Sequence, residues 1–343
     1  MNHSHSLQVG IGMVQDCFAP AERGTAYSIY NLAPLFGPAF GAVLGGLVTQ
    51  HLNWRYVFFI TSASEGAIIL AGLFILSETY APRILELRVR SLITRTGRSN
   101  LRTPYAETRL PLRQLLPQAL GRPLNMLAHE PITQLLAVYF AFLYGIMYLL
   151  YSTYAALWTT QYGESTSKAG WQYLALGGGY LAGSIACTAA VDRVYARLTH
   201  RSANVARPEY KLPMMLPAAI LAPTGLLIYG WGANAHLPPA VPAIGAAIFA
   251  SGTMIVLQCV NGYTVDCFAR YAASASSANL ILRSFAGFAF PIVGPAMWQK
   301  MGYGPASTML GGVAVVLGVG VPGVLWRWGE VLRARSRYVG LSD

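Results

Sequence analysis

The sequence predicts an all-α membrane protein, and three observations predict it. Of its 343 residues, 54% are hydrophobic and only 11% are charged, where a soluble domain carries about 25% charged residues. Mean hydropathy is +0.43. The apolar residues are gathered into eight stretches, each long enough for a helix to cross a bilayer, which takes about 20 residues.

These stretches run over 25–48, 54–76, 132–157, 169–191, 213–231, 241–263, 271–298 and 305–328. Each is too long and too apolar for a strand. Lipid offers no partner to a backbone N–H or C=O, so only helices and closed barrels cross it. A further apolar run, Leu7 to Val14, is too short to span alone. The opening MNHSHSLQVGIG has neither the basic start nor the apolar run of a signal peptide.

The formal net charge of +11 raises nucleic acid as a partner, but the basic residues are sorted by loop. Nine arginines lie in 77–131, and Arg193, Arg197, Arg201, Arg207 and Lys211 lie in 192–212. Arg327, Arg333, Arg335 and Arg337 close the chain, and Arg23 and Arg270 occupy the two other loops of the same parity. The opposite loops hold only Arg55, Lys168 and Lys300, while Arg283 falls inside a span, toward its cytoplasmic end, where its head can snorkel. The rich side is cytoplasmic by the positive-inside rule, and nucleic acid is not expected. The four cysteines form no CxxC pair, the six histidines are scattered and no GxxxxGK[ST] loop occurs. No cofactor, metal site or catalytic constellation is expected.

The tetrapeptide DCFA occurs twice, at Asp16–Ala19 and Asp266–Ala269. Both copies fall in cytoplasmic loops just before a helix, and six spans separate them. Each following helix carries Gly-Pro, Gly37-Pro38 and Gly294-Pro295. This is the pattern of two like-oriented helical halves related by an axis along the membrane normal. Four spans precede the second copy within its half, so the front of the first half is expected to lie outside this chain.

The stretch D16CFAPAERGTAYSIYNLAPLFGPAFGAVLGG46 resembles the fourth-to-fifth helix region of fungal drug:proton antiporters of the twelve-span major facilitator class. N53WRYVFFI60, S77ETYAPRIL85, P208EYKLP213, Y263TVDCFARYAASAS276 and L282RSFAGFAFP291 follow in the order of that family. The resemblance implies a major facilitator fold, with residues 1–76 the remainder of an N-terminal bundle (end of the fourth helix, fifth and sixth helices). Residues 77–131 would be a cytoplasmic central loop, 132–328 a C-terminal six-helix bundle, and 329–343 a cytoplasmic tail. About eight full transmembrane helices are then present. The central loop, with amphipathic stretches Leu85 to Leu92 and Leu110 to Leu120, is a solvated linker or a patch for anionic lipid.

Several residues stand out within this frame. Gly37, Gly41 and Gly45 lie on one helix face with Pro38 and Gly46 beside them, so a neighbouring helix is expected to approach closely there, with Gly179 and Gly183 as its ridge. The resemblance makes this the antiporter-motif face. Tyr144, Tyr148 and Tyr151, at i, i+4 and i+7, form a stripe about 10 Å long. It either lines a cavity for flat, lipophilic molecules or packs the bundle. Asn31, Gln258, Asn261 and Asn279 are polar groups that bond substrate or other helices. Glu65 sits at the midpoint of its span, where a carboxyl group is costly and often relays protons. Asp16 with Arg23, Asp266 with Arg270, and Asp192-Arg193 are candidate ion pairs of a cytoplasmic latch.

The expected function is secondary active transport: proton-coupled efflux of small lipophilic compounds, by rocking of two bundles in the plasma or vacuolar membrane. The alternatives are a non-transporting remnant or partner-dependent subunit, or an uptake or polyamine transporter of the same fold.

Overall fold

The computed structural model describes residues 23–75, 78, 81–97, 102–103, 112–201, 207–268, 271–336 and 338–339; within these, the side chains of 23–36, 81–82, 112–120, 192, 196, 199 and 201 are not described. The regular elements among the described residues are all helical, with no strand among them. In chain order the helices are α1 (Arg23–His51), α2 (Arg55–Ile75), α3 (Ala81–Thr96), α4 (Leu112–His129) and α5 (Pro131–Ala156). A π-helical turn, Leu157–Gln161, extends α5. Then come α6 (Thr166–Arg201), a 3-10 turn (Pro208–Met214), α7 (Met215–Asn234), α8 (Ala240–Cys267), α9 (Ala272–Met301) and α10 (Tyr303–Arg335).

Seven of these helices are long and apolar enough to cross a membrane, and α1 covers the first expected span. The chain divides into two compact units, 1–37 with 51–116 and 38–50 with 117–343. In the first, no residue of α2 is buried. On α3, Glu86 accepts from Arg83 and from Arg90, each at 3.1 Å, the one-turn pairing that supports a surface helix.

The second unit holds a dense core around Ile132, Leu136, Leu143, Val256 and Leu325, all at or near zero exposure. Here α8 packs on α6 and α7, α7 on α10, and α9 on α5. Apolar burial gives little drive between helices in lipid, so small residues that admit close backbones decide the contacts. On one side of α8, Gly179 and Gly183 of α6 lie against the backbones of Ala247 and Ser251. On the other, a Cβ at Gly225 of α7 would stand 2.7 Å from the Gly245 carbonyl oxygen, and a Cβ at Gly245 would stand 2.8 Å from that of Gly225. The expected partnership of Gly179 and Gly183 with the Gly37-Gly41-Gly45 face is therefore corrected: those two glycines seat α8.

Helix α1 instead meets α6 along the next ridge round. A Cβ at Gly46 would stand 2.8 Å from the Thr166 carbonyl, one at Gly170 2.7 Å from that of Ala42, and one at Gly177 2.8 Å from Ala39 Cβ. Ala39 and Val43 are buried on that line. Among the described residues nothing lies within 4 Å of a Cβ at Gly37, Gly41 or Gly45, and Pro38 is exposed. Consecutive residues turn by about 100°, so a packed ridge and an open one differ by one register step.

Two prolines, Pro291 and Pro295, lie inside α9. Gly302, with φ of +80°, takes the left-handed conformation that ends it and lets α10 begin at Tyr303.

Candidate functional site

The tyrosine stripe of α5 is built as the spacing predicts. Tyr144 and Tyr148 have ring centroids 4.7 Å apart, with the Tyr144 hydroxyl donating to that of Tyr148 at 3.2 Å. Tyr151 continues the stripe at 5.9 Å from Tyr148. The neighbouring helices complete it with residues that sequence reasoning missed. Tyr180 of α6 stands 6.3 Å from Tyr151, and Tyr173, one heptad earlier on that helix, donates to the Tyr151 carbonyl at 2.8 Å. The i, i+7 spacing of Tyr173 and Tyr180 was the available signal.

From α9, Asn279, Arg283 and Gly287 approach at i, i+4 and i+8, on one helix face. The guanidinium of Arg283 sits 4.9 Å from the Tyr144 ring centre and 5.3 Å from that of Phe140. This is cation–π distance. The expected snorkelling is not what the structure shows: the head turns inward to the rings, about 16 Å along α9 from Ala272 at 1.5 Å per residue. Its Nε is buried without a hydrogen-bond partner, and among the described residues no carboxylate pairs with it. A Cβ at Gly287 would stand 3.2 Å from the Tyr144 ring, so glycine there brings α9 onto the stripe.

The polar candidates separate. Asn279 is buried; its Nδ2 donates to Thr264 Oγ1 at 3.3 Å while its Oδ1 has no partner. Gln258 is spent between helices, donating to Ser184 Oγ at 2.7 Å. Asn261 is exposed on α8, and Glu65 is exposed on α2. Asp16 and Arg270 lie outside the described residues, as do the side chains of Arg23, Asn31 and Asp192; Arg193 is exposed. A cavity of about 420 Å³ lies apart from the stripe, between α5 and α10, with Leu135, Val138, Leu317 and Val321 in its wall. Among the described residues no cluster of three or more His, Cys, Asp or Glu could hold a metal.

On the arginine-rich face, the 3-10 turn and the residue before it hold three ion pairs. Glu209, only 9% exposed in its side chain, accepts from Arg333 Nε at 2.8 Å and Nη2 at 2.9 Å. Lys211 meets Asp266 at 2.6 Å, and Arg207 meets Glu330 at 2.8 Å. Asp266 is thus paired from P208EYKLP213, and the turn is strapped to α8 and α10. The opposite charges just outside spans were the sequence signal for it. At the other face, outside the spans, Tyr162 donates to the Leu237 carbonyl at 2.8 Å, and burial raises its phenol above the usual range.

A bundle of long apolar helices, with a partly buried polar and aromatic face at mid-span and ion pairs at one end, is a multi-span integral membrane protein of the transporter class. The chain belongs to the Major Facilitator Superfamily, whose family model matches residues 3–291. It is 38% identical to the MFS-type transporter oryF of Aspergillus oryzae over 97% of this chain and 69% of that protein. It is also 38% identical to the efflux pump vrtL of Penicillium aethiopicum, over 98% of this chain and 66% of that one. With the efflux pump radE of Floropilus chiversii it shares 37% identity over 97% of this chain and 62% of the other. The chain thus spans about two thirds of the length of these relatives.

Proposed function

We propose that this chain acts in proton-coupled export of small lipophilic compounds. The carrying observation is the meeting of Tyr144, Tyr148, Tyr151 and Tyr180 with α9 at mid-span. Aromatic faces accept flat apolar molecules without strict geometry, and relatives at 37–38% identity bear the name efflux pump. Gly37, Gly41 and Gly45 are assigned the antiporter face by resemblance. Glu65 is the carboxyl group proposed to carry the proton, because it sits midway along an apolar helix. The ion pairs of Glu209, Lys211 and Asp266 are proposed to latch the cytoplasmic end in one of two states.

The arginines of α3, Arg83, Arg88, Arg90 and Arg95, would sit on anionic lipid, and the plasma membrane is the proposed site of action. The test is efflux of a fluorescent dye from cells carrying the protein at their surface, with and without an uncoupler. Export that stops on uncoupling is expected. Absence of any uncoupler-sensitive efflux overturns the proposal.

A further inference from the structure

An arginine held at mid-span is costly to keep, and Arg283 has no carboxylate among the described residues to offset it. Its charge rests instead against the rings of Tyr144 and Phe140, which satisfy the faces of the guanidinium and leave its Nε–H buried and unused. One turn away, Asn279 keeps an unused Oδ1. Pro291, lacking an N–H, leaves the Gly287 carbonyl without its helical partner. Tyr148 is the open side of the group, 39% exposed.

The sum is one uncompensated positive charge, two spare acceptors and a wall of phenol rings. A second cation brought here would be repelled in a medium that screens poorly. A negative group would meet the donor fork of arginine, which matches planar anions in two bonds at once.

We infer that this face binds planar aromatic anions, with Arg283 taking the carboxylate or enolate, the tyrosines stacking on the ring system, and Asn279 accepting from a substrate hydroxyl. This deepens the export reading and rests on it only for the direction of movement.

The experiment uses the full chain purified into lipid nanodiscs and two dyes with one xanthene skeleton, anionic fluorescein and cationic rhodamine 123, followed by fluorescence anisotropy. Fluorescein is expected to bind at least about tenfold more tightly, the weight of one charge-assisted hydrogen bond. Arg283→Gln should erase that preference, and Arg283→Lys should keep part of it. Equal or tighter binding of rhodamine 123, binding of neither dye, or an unchanged preference in a folded Arg283→Gln protein overturns the inference. The preference of the unaltered chain decides the matter even where the glutamine variant fails to fold. Fluorescein bound but never exported from cells would sink the transport reading and leave this one standing; rhodamine 123 bound and exported in its place would do the reverse.

Discussion

Gly225→Ala tests the packing account most directly. The new methyl would stand 2.7 Å from the Gly245 carbonyl oxygen and 2.8 Å from the Ile248 carbonyl carbon, where ordinary contact begins near 3.5 Å. The Phe249 backbone nitrogen would lie closer still, so helices α7 and α8 must part by more than about 0.7 Å. The obstructing atoms are backbone, so no side chain can turn aside. Nor can α8 retreat, since Gly179 and Gly183 already seat its far side on α6. Overpacking of this kind costs about 1–3 kcal/mol, and confinement from both sides places it at the upper end. Alanine recovers about 1 kcal/mol in helix propensity over glycine. The net loss is about 2 kcal/mol.

The control is Gly41→Ala, whose methyl meets nothing within 4 Å, so only the propensity gain of up to about 1 kcal/mol remains. The assay is built in, because Cys187, Cys259 and Cys267 are all buried thiols. With Cys17 replaced by serine throughout, a thiol-reactive dye reports unfolding as temperature rises. Gly225→Ala should melt roughly 4–8 °C lower, and Gly41→Ala no lower than the parent. Equal melting of Gly225→Ala and parent, or an equal fall in Gly41→Ala, would refute the reasoning.

Arg333→Leu strands the Glu209 carboxylate, whose side chain is 9% exposed, and should cost about 3–5 kcal/mol; adding Glu209→Gln should recover most of it in the same melt. Asp266→Asn, in a pair whose side chains are 23% and 32% exposed, should cost about 1 kcal/mol or less. Tyr148→Phe removes the hydroxyl that accepts from Tyr144; the fold should hold while fluorescein binding weakens about two- to tenfold. Single cysteines at Thr96 and Arg335 should both react with an impermeant maleimide from the cytoplasmic face; labelling from opposite faces would dismantle the orientation.

The spans were legible because lipid leaves a backbone few choices. The stretch read at 241–263 is α8, Ala240–Cys267, and that at 305–328 lies within α10, Tyr303–Arg335. Helix ends ran longer than the apolar runs, since a helix need not stop where hydrocarbon does. The amphipathic stretch at Leu85 to Leu92 falls on α3, and residues 112–120 of the second stretch lie on α4. The Tyr144-Tyr148-Tyr151 stripe could be read because its members share one helix.

Arg283 and Tyr180 could not be placed beside it, because that contact joins three helices far apart in sequence. Glycine spacing showed the same limit. Gly37, Gly41 and Gly45 carry the better periodicity, yet Gly46 carries the close contact with α6. A repeat of small residues marks where a helix can be approached, and only the neighbour's own small residues, here Gly170 and Gly177, decide which line is used.

The prolines of α9 have a mechanical consequence. One turn apart, two rungs of its ladder, those owed to the carbonyls of Gly287 and Pro291, are missing. The helix runs unbroken through both prolines, and the missing rungs divide it into a near and a far arm. The far arm is moored, with Trp298 donating to Thr153 at 3.2 Å and lying flat on Tyr303 at 5.0 Å. The near arm carries Arg283 against the Tyr144 ring and Asn279 bonded to Thr264, so a bend at the joint would act on those contacts and leave the mooring in place. Gly287, at the joint, also lies against the Tyr144 ring, so a bend there would reshape the aromatic face in the same movement.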